Sequence, residues 1–372
     1  MTRPGVAIVG ASGHVGQVAA AALADYGDLR LGSRAPERLQ SLSAVCASAG
    51  ATVTTQYVDL DDPASLDHFV AGADVVLNCA GPSYRILDQV ALVAQHHQAA
   101  YVDVGGDDVL YERLMKQPAG RTVAVVSAGM LPGLSGLLPR YLADQFEHIE
   151  QMTCYAGGRE AFSPAAAEDF WLSLDPQYDF GTVQAYWRHG QIASSRDAMD
   201  LPYRPWTRQP RLLAWPYLSR EAQRLFQQLG VEQGWAMNLM EEGYLFQALQ
   251  RLQGRGDVKA EEAMTALIQA SQLDVAGRPA YQVLAVEASG WAKGSPLQRS
   301  LWVQVSQGFH LTGHMAAQTV RAIPELDDGV HFAAQVLNPQ ACLQGLVQAW
   351  PDFKIQQHEG AWATVNIEEG AL

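Results

Sequence analysis

The feature that most restricts the fold of this chain is a glycine-rich turn near its N-terminus. An apolar strand is predicted over residues 6–9, and residues 10–16 then carry glycine at a GxxGxxG spacing before an alanine-rich, proline-free helix over residues 17–23. In dinucleotide-binding domains three such glycines permit the tight turn, let backbone N–H groups approach a pyrophosphate, and let the helix pack closely. An ordinary strand–turn–helix with small packing residues is the alternative. We predict a dinucleotide site formed by Gly10, Ser12, Gly13, His14, Val15 and Gly16.

The end of the second predicted strand, residues 29–31, distinguishes NADP from NAD. A site for NAD places Asp or Glu there to accept from the ribose 2′-hydroxyl, and that carboxylate would repel a 2′-phosphate. This chain has Ser33 and Arg34 instead, with Arg38 one helical turn further along. A hydroxyl donor and a guanidinium suit a phosphate group. We therefore predict NADP as the cofactor; the alternative is that both arginines are solvated surface charges.

Composition and charge are typical of a globular enzyme. The chain has 372 residues, enough for two domains, with 48% hydrophobic and 17% charged residues. Its formal net charge of -14 disfavours nucleic acid or an anionic membrane as a partner. The first strand is predicted within five residues of the N-terminus, and no apolar stretch is long enough to span a bilayer. We expect a cytoplasmic protein that acts on small molecules.

Cysteine and histidine spacing predicts no metal site. The four cysteines include no CxxC pair and fit reduced thiols. His310 and His314 lie four residues apart, without an HExxH pattern and without an evident third ligand.

Alternating strands and helices over residues 1–147 predict an α/β fold, a doubly wound Rossmann domain. The predicted strands cover residues 52–58, 74–79, 100–104 and 122–126, and the predicted helices cover residues 37–48, 64–70 and 86–97. Ligands of such a sheet bind at the carboxyl ends of its strands. The residues at those ends that we expect to contact the cofactor are Asp59, Leu60, Cys79, Ala80, Gly81 and Gly105.

The pattern of strands and helices over residues 148–309 predicts a second, α+β domain with a mixed or antiparallel sheet. We expect this domain to serve catalysis and dimerisation. Strands are expected over residues 148–155, 281–291 and 300–305, and helices over residues 220–229, 245–252 and 261–272. Residues 310–372 are expected to be helical, at 310–323 and 339–349, and to return to the Rossmann domain.

Four sequence runs carry a resemblance to a known family. Residues 10–17, 75–84, 100–107 and 129–143 resemble the saccharopine dehydrogenase-like NAD(P) oxidoreductases, and residues 312–322 with 329–332 are similar to that family's closing helices. The resemblance implies a Rossmann domain split by a catalytic domain, a homodimer, and chemistry at a C–N bond.

The aromatic-rich middle of the chain also resembles the stand-alone thiazolinyl imine reductases of siderophore biosynthesis. That resemblance implies NADPH-dependent reduction of a thiazoline to a thiazolidine on a carrier-protein-tethered, hydroxyphenyl-bearing substrate. Tryptophans would suit such a flat substrate, although for most of them a place in the core of the second domain is favoured. The ones concerned are Trp171, Trp187, Trp206, Trp215 and Trp235.

Reduction of an imine needs a general acid beside the nicotinamide. The Tyr-x-x-x-Lys pair of short-chain dehydrogenases is absent, because none of the four lysines has tyrosine four positions before it. The candidate acids are Tyr84, Tyr101, Asp103 and His310. Asp103 would equally cap a helix or bind ribose, and water is a further proton source.

Three functional hypotheses follow. The first is an NADPH-dependent thiazolinyl imine reductase. The second is a saccharopine- or opine-type dehydrogenase, whose carboxylate substrate would need arginines such as Arg159, Arg188, Arg204, Arg208 and Arg211. The third is a non-catalytic NADP-sensing Rossmann protein.

Overall fold

The computed structural model describes residues 3–117, 122–173, 180–198, 212–253, 258–351 and 353–360. The chain divides into two compact units, each made of two segments. The first unit comprises Met1–Leu137 and Phe309–Pro351, and the second comprises Leu138–Gly308 and Asp352–Leu372. Among the described residues, no helix combines the length and the hydropathy needed to cross a membrane.

The N-terminal segment of the first unit alternates strands and helices. Its elements are β1 (Gly5–Val9), α1 (His14–Leu23), β2 (Asp28–Ser33), α2 (Gln40–Ser48), β3 (Val53–Tyr57), α3 (Pro63–Val70), β4 (Val75–Asn78), α4 (Ser83–Ile86), α5 (Gln89–His96), β5 (Ala100–Asp103), α6 (Asp108–Met115) and β6 (Val123–Val126). The helix expected over residues 86–97 is two helices, because Leu87 adopts a φ of 48°, which a continuous α-helix does not allow.

The middle of the chain forms the elements of the second unit, beginning with a helix that starts in the first. They are α7 (Leu134–Ala143), β7 (His148–Arg159), α8 (Pro164–Ser173), β8 (Gly181–Val183), β9 (Ala185–Arg188), β10 (Gln191–Ser194), β11 (Leu212–Ser219), α9 (Arg220–Gln228), β12 (Gln233–Glu241), α10 (Tyr244–Gln253), α11 (Ala260–Val275), β13 (Tyr281–Ala292) and β14 (Ser295–Val305).

The C-terminal region contains helices and two further strands. Its elements are α12 (Gly308–Ala322), β15 (Gly329–Phe332), α13 (Ala333–Val336), α14 (Pro339–Ala349) and β16 (Ile355–Glu359). Two expectations were wrong here. The run 329–332, grouped with closing helices, is a strand, and residues 355–359 are not helical.

The first unit is a seven-stranded parallel sheet in the order β15-β6-β5-β4-β1-β2-β3. This order confirms the predicted doubly wound fold, and the chain reverses direction across the sheet between β1 and β4. Val9 is in register with Gly32 of β2 and with Asn78 of β4, so the carboxyl ends of these three strands are level. Phe332 joins the core because its side chain packs on the face that carries Tyr101 and Val126.

The second unit contains a mixed sheet of nine strands, as the sequence predicted. Strand β7 pairs parallel with β12 and antiparallel with β13, and β13 forms a long hairpin with β14. The strand β16 pairs antiparallel with β14, with Ile355 opposite Val303. Residues 355–359 therefore extend the second sheet, because they pair with the edge of β14 that β13 does not occupy.

The two faces of the second sheet have different cores. Met240 packs with α8, α10 and α11, whereas Trp235, Met237 and Leu239 point to the other face. There Trp235 stacks on Tyr186 with ring centroids 4.2 Å apart. Trp187 and Trp235 are buried, while Trp171 and Trp215 pack against the helices; Trp206 lies outside the described residues. Trp171, Trp187, Trp215 and Trp235 are thus packing residues of this unit.

Candidate cofactor-binding site

The glycine-rich turn after β1 is held by close backbone contacts. Gly10 has a φ of 77°, and a Cβ added to it would lie 2.8 Å from the backbone nitrogen of Ala80. A Cβ on Gly16 would lie 2.4 Å from the carbonyl oxygen of Gly10. The protein itself therefore requires glycine at both positions. At Gly13 the nearest atom would be 3.4 Å away, so the fold leaves that position open.

The helix α1 begins at this turn without a capping side chain. Its N-cap is Gly13, no side chain accepts from its first N–H groups, and its first turn contains no acidic residue. The turn is stabilised by hydrogen bonds from the Gly13 nitrogen to the Gly10 oxygen, 3.0 Å, and from Gln17 Nε2 to the Ser12 oxygen, 2.9 Å. Uncapped N–H groups and the helix dipole make this end suitable for a pyrophosphate.

The last residue of β2 carries a hydroxyl group, and two guanidinium groups follow the strand. The buried Ser33 side chain donates to Ser12 Oγ at 2.9 Å and accepts from the Ala35 nitrogen at 3.1 Å. Arg34 and Arg38 are exposed, and neither forms an ion pair with any residue that the structure describes. Their charges are therefore available to a ribose 2′-phosphate, and the donor set fits NADP.

Asp59 and Leu60 follow β3 and form a turn. Asp59 Oδ1 accepts from the Asp61 nitrogen at 3.1 Å, and the Tyr57 hydroxyl donates to Asp59 Oδ2 at 3.4 Å. The Leu60 carbonyl accepts from the side chain of Gln89. These contacts define the shape of the loop, and contact of Asp59 and Leu60 with adenine stays a prediction.

The small residues after β4 lie directly against the glycine turn. The Cys79 nitrogen donates to the Val9 oxygen at 2.9 Å, and the Ala80 nitrogen donates to Asn78 Oδ1 at 3.1 Å. Burial, reinforced by the nearby Asp103 carboxylate, raises the pKa of the Cys79 thiol. Cys79 is thus a neutral thiol near pH 7, and its part in this site is its small size.

A buried hydrogen-bond network joins the ends of β4 and β5. Asp103 Oδ2 accepts from the Tyr101 hydroxyl and from Asn78 Nδ2, the latter at 3.0 Å. Asp103 Oδ1 accepts from the Gly105 nitrogen at 2.9 Å, and the Asp103 carbonyl accepts from the Ala128 nitrogen at 2.8 Å. The network therefore sets the loops that follow three neighbouring strands, β4, β5 and β6.

This network changes the expected roles of Tyr101 and Asp103. Their exposed fractions are 2% and 1%, and the Tyr101 hydroxyl donates its hydrogen bond to Asp103. Burial raises the pKa of Asp103, while its hydrogen bonds from Tyr101, Asn78 and Gly105 oppose that rise. A proton donor must reach its substrate, so burial and these hydrogen bonds favour a structural role for Tyr101 and Asp103, and their action as acids stays a prediction. Asn78, the third member, was missed because nothing local in the sequence marks it.

Tyr84 lies in the first turn of α4, directly after the loop formed by residues 79–82. Its half-buried ring has the guanidinium of Arg85 beside it, and its hydroxyl oxygen accepts from Arg85 Nε at 3.1 Å. Of the four candidate acids, Tyr84 combines partial exposure with a position at the carboxyl edge of the sheet.

His310 belongs to a column of stacked rings in the first unit. His14 stacks on Phe309 at 4.8 Å between centroids, Phe309 contacts His310 at 4.5 Å, and Trp350 stacks on both His310 and His314, at 5.5 and 4.9 Å. Burial, followed by the neighbouring His14, lowers the pKa of His310. The imidazole is therefore neutral near pH 7. Phe309 and Trp350 were not predicted, because they lie far from the glycine turn in sequence.

The helix α12 approaches the same edge of the sheet through small residues. A Cβ on Gly313 would lie 2.6 Å from the Val18 side chain, so α12 packs closely on α1. Thr312 Oγ1 accepts from the Met130 nitrogen at 3.3 Å, in the turn after β6. That turn is closed by Gly133, whose φ is 127°. Residues 129–133 thus shape the edge beside the cofactor turn.

The arginines considered as ligands for a carboxylate substrate belong to the middle of the chain, and Arg159 is one of them. Arg159 donates from its Nη1 to both carboxylate oxygens of buried Glu241, at 2.6 and 2.7 Å, and from Nε and Nη2 to the Pro279 oxygen. Arg278 and Tyr281 also donate to Glu241. Arg188 is exposed, and Arg204, Arg208 and Arg211 lie outside the described residues. Arg159 is therefore a structural residue.

The sheet order, the uncapped helix after the glycine turn and the arginines beyond β2 together define an NADP-binding Rossmann domain. Residues 6–130 match the family model described as the saccharopine dehydrogenase NADP binding domain. Residues 6–130 are thus an NADP-binding domain of the saccharopine dehydrogenase type, and the cofactor is NADP.

A solved structure has the same fold. Apo histidine-tagged saccharopine dehydrogenase (L-Glu forming) from Saccharomyces cerevisiae has a TM-score of 0.68 at 15% identity, covering 96% of this chain and 100% of that chain. A short-chain dehydrogenase/reductase from Burkholderia xenovorans covers 28% of this chain and 59% of that chain, with 17% identity and a TM-score of 0.26. The first likeness extends the fold match through both units.

Proposed function

We propose that this protein is an NADPH-dependent reductase of C=N bonds. The observation that supports the proposal is that the NADP turn, the loop after β4 and the network around Asp103 meet at one edge of the parallel sheet, the edge formed by the carboxyl ends of its strands. A Cβ on Gly10 would contact Ala80, and Ala80 is in turn held by Asn78. Ligands of doubly wound sheets bind at this edge.

Bound NADPH supplies a hydride, so the chain must hold the cofactor and deliver a proton. The N-terminus of α1 binds the pyrophosphate, and Arg34 with Ser33 binds the 2′-phosphate. We assign the proton to the Tyr84 hydroxyl. The Arg85 hydrogen bond to its oxygen would stabilise the phenolate left after the transfer. His310 is neutral and is assigned a positioning role.

The favoured substrate is a cyclic imine, as in the reduction of a thiazoline to a thiazolidine in siderophore biosynthesis. A saccharopine- or opine-type substrate carries several carboxylates, and Arg159, one candidate ligand for them, is committed to Glu241 and Pro279. The buried tryptophans do not add support for an aromatic substrate. The second candidate is a saccharopine-type dehydrogenase, and the likeness to the yeast enzyme through both units supports it.

Oxidation of NADPH by the purified full chain, followed by its absorbance, distinguishes these candidates. The substrates compared are a hydroxyphenyl-thiazoline thioester and an amino acid supplied together with a keto acid. Turnover of the first supports the favoured substrate, and turnover of the second alone moves the assignment to the saccharopine type. Tight NADPH binding without turnover of either would overturn the proposal in favour of an NADP-sensing protein.

The assignment of the acid has its own control. Tyr84→Phe is expected to lower kcat while leaving the Kd for NADPH unchanged. Tyr111→Phe is the matched control, because that ring stacks on Phe332 within the same unit. Equal activity of the two variants would exclude Tyr84. The homodimer and a carrier-protein partner stay predictions, which size-exclusion chromatography and carrier-bound substrate test directly.

A further inference from the structure

Three metal-ligating side chains meet on the surface of the first unit. Asp67 belongs to α3, His96 is the last residue of α5, and His97 follows it. His97 Nε2 lies 2.8 Å from Asp67 Oδ1, and the two histidine rings meet edge-on with centroids 5.1 Å apart. One ligand atom from each residue lies within 4.8 Å of the other two. We call these residues the α3–α5 cluster.

Their chemistry suits a transition-metal ion. Two imidazoles and one carboxylate are ligands that zinc and its neighbours in the first transition row prefer. Bonds of about 2.0–2.1 Å in a tetrahedral site place ligand atoms roughly 3.4 Å apart. The pair formed by His97 and Asp67 is already closer than that. His96 is exposed, and metal binding would require its ring to turn towards the other two ligand atoms.

The backbone that carries the cluster is fixed by the core below it. Leu66, Phe69 and Val70 of α3 pack in one buried cluster with Val90 and Ala94 of α5. The chain leaves α5 at Gln98, whose φ is 58°. The two histidines therefore lie at a helix end, where successive side chains are not held at the angular spacing of a continuing helix.

The cluster lies away from the NADP turn. Helices α3 and α5 each follow a strand and run back across the sheet, so their C-terminal ends reach the edge opposite the strands' carboxyl ends. We propose that Asp67, His96 and His97 bind a divalent transition-metal ion, with zinc as the preferred ion, and that this ion ties α3 to α5. Water would complete its coordination, because the site is open to solvent. The spacing along the sequence predicts no such site, because Asp67 lies 30 residues from His97.

The test uses the untagged full chain after treatment with a chelator. Zinc is expected to raise the melting temperature in a concentration-dependent way, because it binds the folded state preferentially. Cobalt is expected to give a visible absorption band upon binding. The Kd for NADPH should be the same with and without zinc. These readouts require neither substrate nor activity.

Variants separate metal binding from the ion pair that His97 and Asp67 form without metal. His96→Ala, His97→Ala and Asp67→Asn are each expected to weaken zinc binding by about tenfold or more. His68→Ala is the matched control, since His68 is an exposed histidine on the same helix, outside the cluster. The zinc-dependent shift is compared within each variant, so lost stability alone cannot imitate lost binding. No zinc-dependent shift, or an equal shift in all four variants, would overturn the proposal.

Discussion

Ser33 Oγ lies 2.9 Å from Ser12 Oγ, so the end of β2 is hydrogen-bonded to the turn that follows β1. This bond joins the two places where we predict the negative charges of NADP to bind, the start of α1 for the pyrophosphate and the surroundings of Arg34 for the 2′-phosphate. The distance between the two phosphate sites is therefore set by the protein before the cofactor binds.

Arg34→Ala is expected to weaken NADPH binding by roughly 10- to 100-fold, because charge-assisted hydrogen bonds contribute about 1.5–3 kcal/mol. Binding of NADH, which lacks the 2′-phosphate, should not change. Fluorescence titration with both nucleotides measures this. Arg113→Ala is the control, since Arg113 is an exposed arginine of the same unit paired with Asp88 at 3.3 Å. An equal loss for NADH and NADPH would contradict the assignment.

The three glycines of the turn should separate into two classes. Gly16→Ala is expected to lower the free energy of unfolding by about 2 kcal/mol or more, because the new Cβ would lie 2.4 Å from the Gly10 oxygen. Gly13 has an ordinary φ of -74°, so Gly13→Ala should change the free energy of unfolding by no more than about 1 kcal/mol. It should nevertheless weaken NADPH binding, since the methyl group occupies the approach to the phosphates. Chemical denaturation and nucleotide titration test both variants, and wild-type NADPH affinity in Gly13→Ala would refute this interpretation.

Tyr101→Phe should act on stability and not on proton transfer. The variant removes one donor to buried Asp103, a loss of about 1–2 kcal/mol in the free energy of unfolding. Its kcat, measured under conditions where the protein is folded, should stay close to that of the wild type. A large fall in kcat with unchanged stability would restore Tyr101 as a catalytic candidate.

His314 should make the first unit less stable in mild acid. Burial, followed by the nearby His310, lowers the pKa of His314 from 6.5 to about 4. Below pH 6.5 the unfolded chain binds a proton that the folded chain resists, so stability falls as pH decreases from 6.5 towards 4. Because the ring is partly exposed, we expect a loss of about 1–2 kcal/mol. Denaturation at pH 7 and pH 5 measures it. His314→Phe keeps a ring against Trp350 and should reduce this pH dependence, whereas an unchanged pH dependence would argue against His314 as its source.

Glu241→Gln should destabilise the second unit. Glu241 accepts from Arg159, Arg278 and Tyr281, and the loss of its charge leaves the Arg159 guanidinium buried without a counter-ion. Such a loss costs about 3–5 kcal/mol. Glu242→Gln, at the adjacent position, provides the comparison. Similar melting temperatures for the two variants would show that the Arg159 network contributes little.

The parts of the fold that local patterns encode could be predicted from the sequence. The elements β1, α1 and β2 combine a strand, a glycine turn and a helix within consecutive residues, and Ser33 ends β2 with Arg34 directly after it. By contrast, β15 and β16 are short segments whose strand conformation depends on pairing with β6 and β14. Their own residues contain little period-2 alternation, so their partners determine their structure.

The candidate site shows the same division. Glycines of the turn follow a spacing that can be recognised along the chain, whereas the function of Asp103 depends on Asn78, 25 residues away, and on the hydroxyl of Tyr101. A carboxyl at a strand end is compatible with catalysis, capping or a buried network. Only the three-dimensional arrangement of its donors distinguishes these roles.

The strand β15 has a consequence for biosynthesis. Residues of the NADP-binding unit up to Leu137 leave the ribosome first, and the whole middle of the chain is made before Gly329–Phe332 appears. Until then the edge of β6 has no partner, and unpaired strand edges in nascent chains favour aggregation. Pairing of β15 with β6 covers that edge late in synthesis. Phe332 then stacks on Tyr111, with centroids 4.3 Å apart. Chains terminated before residue 329 would therefore depend on chaperones, although their glycine turn is complete.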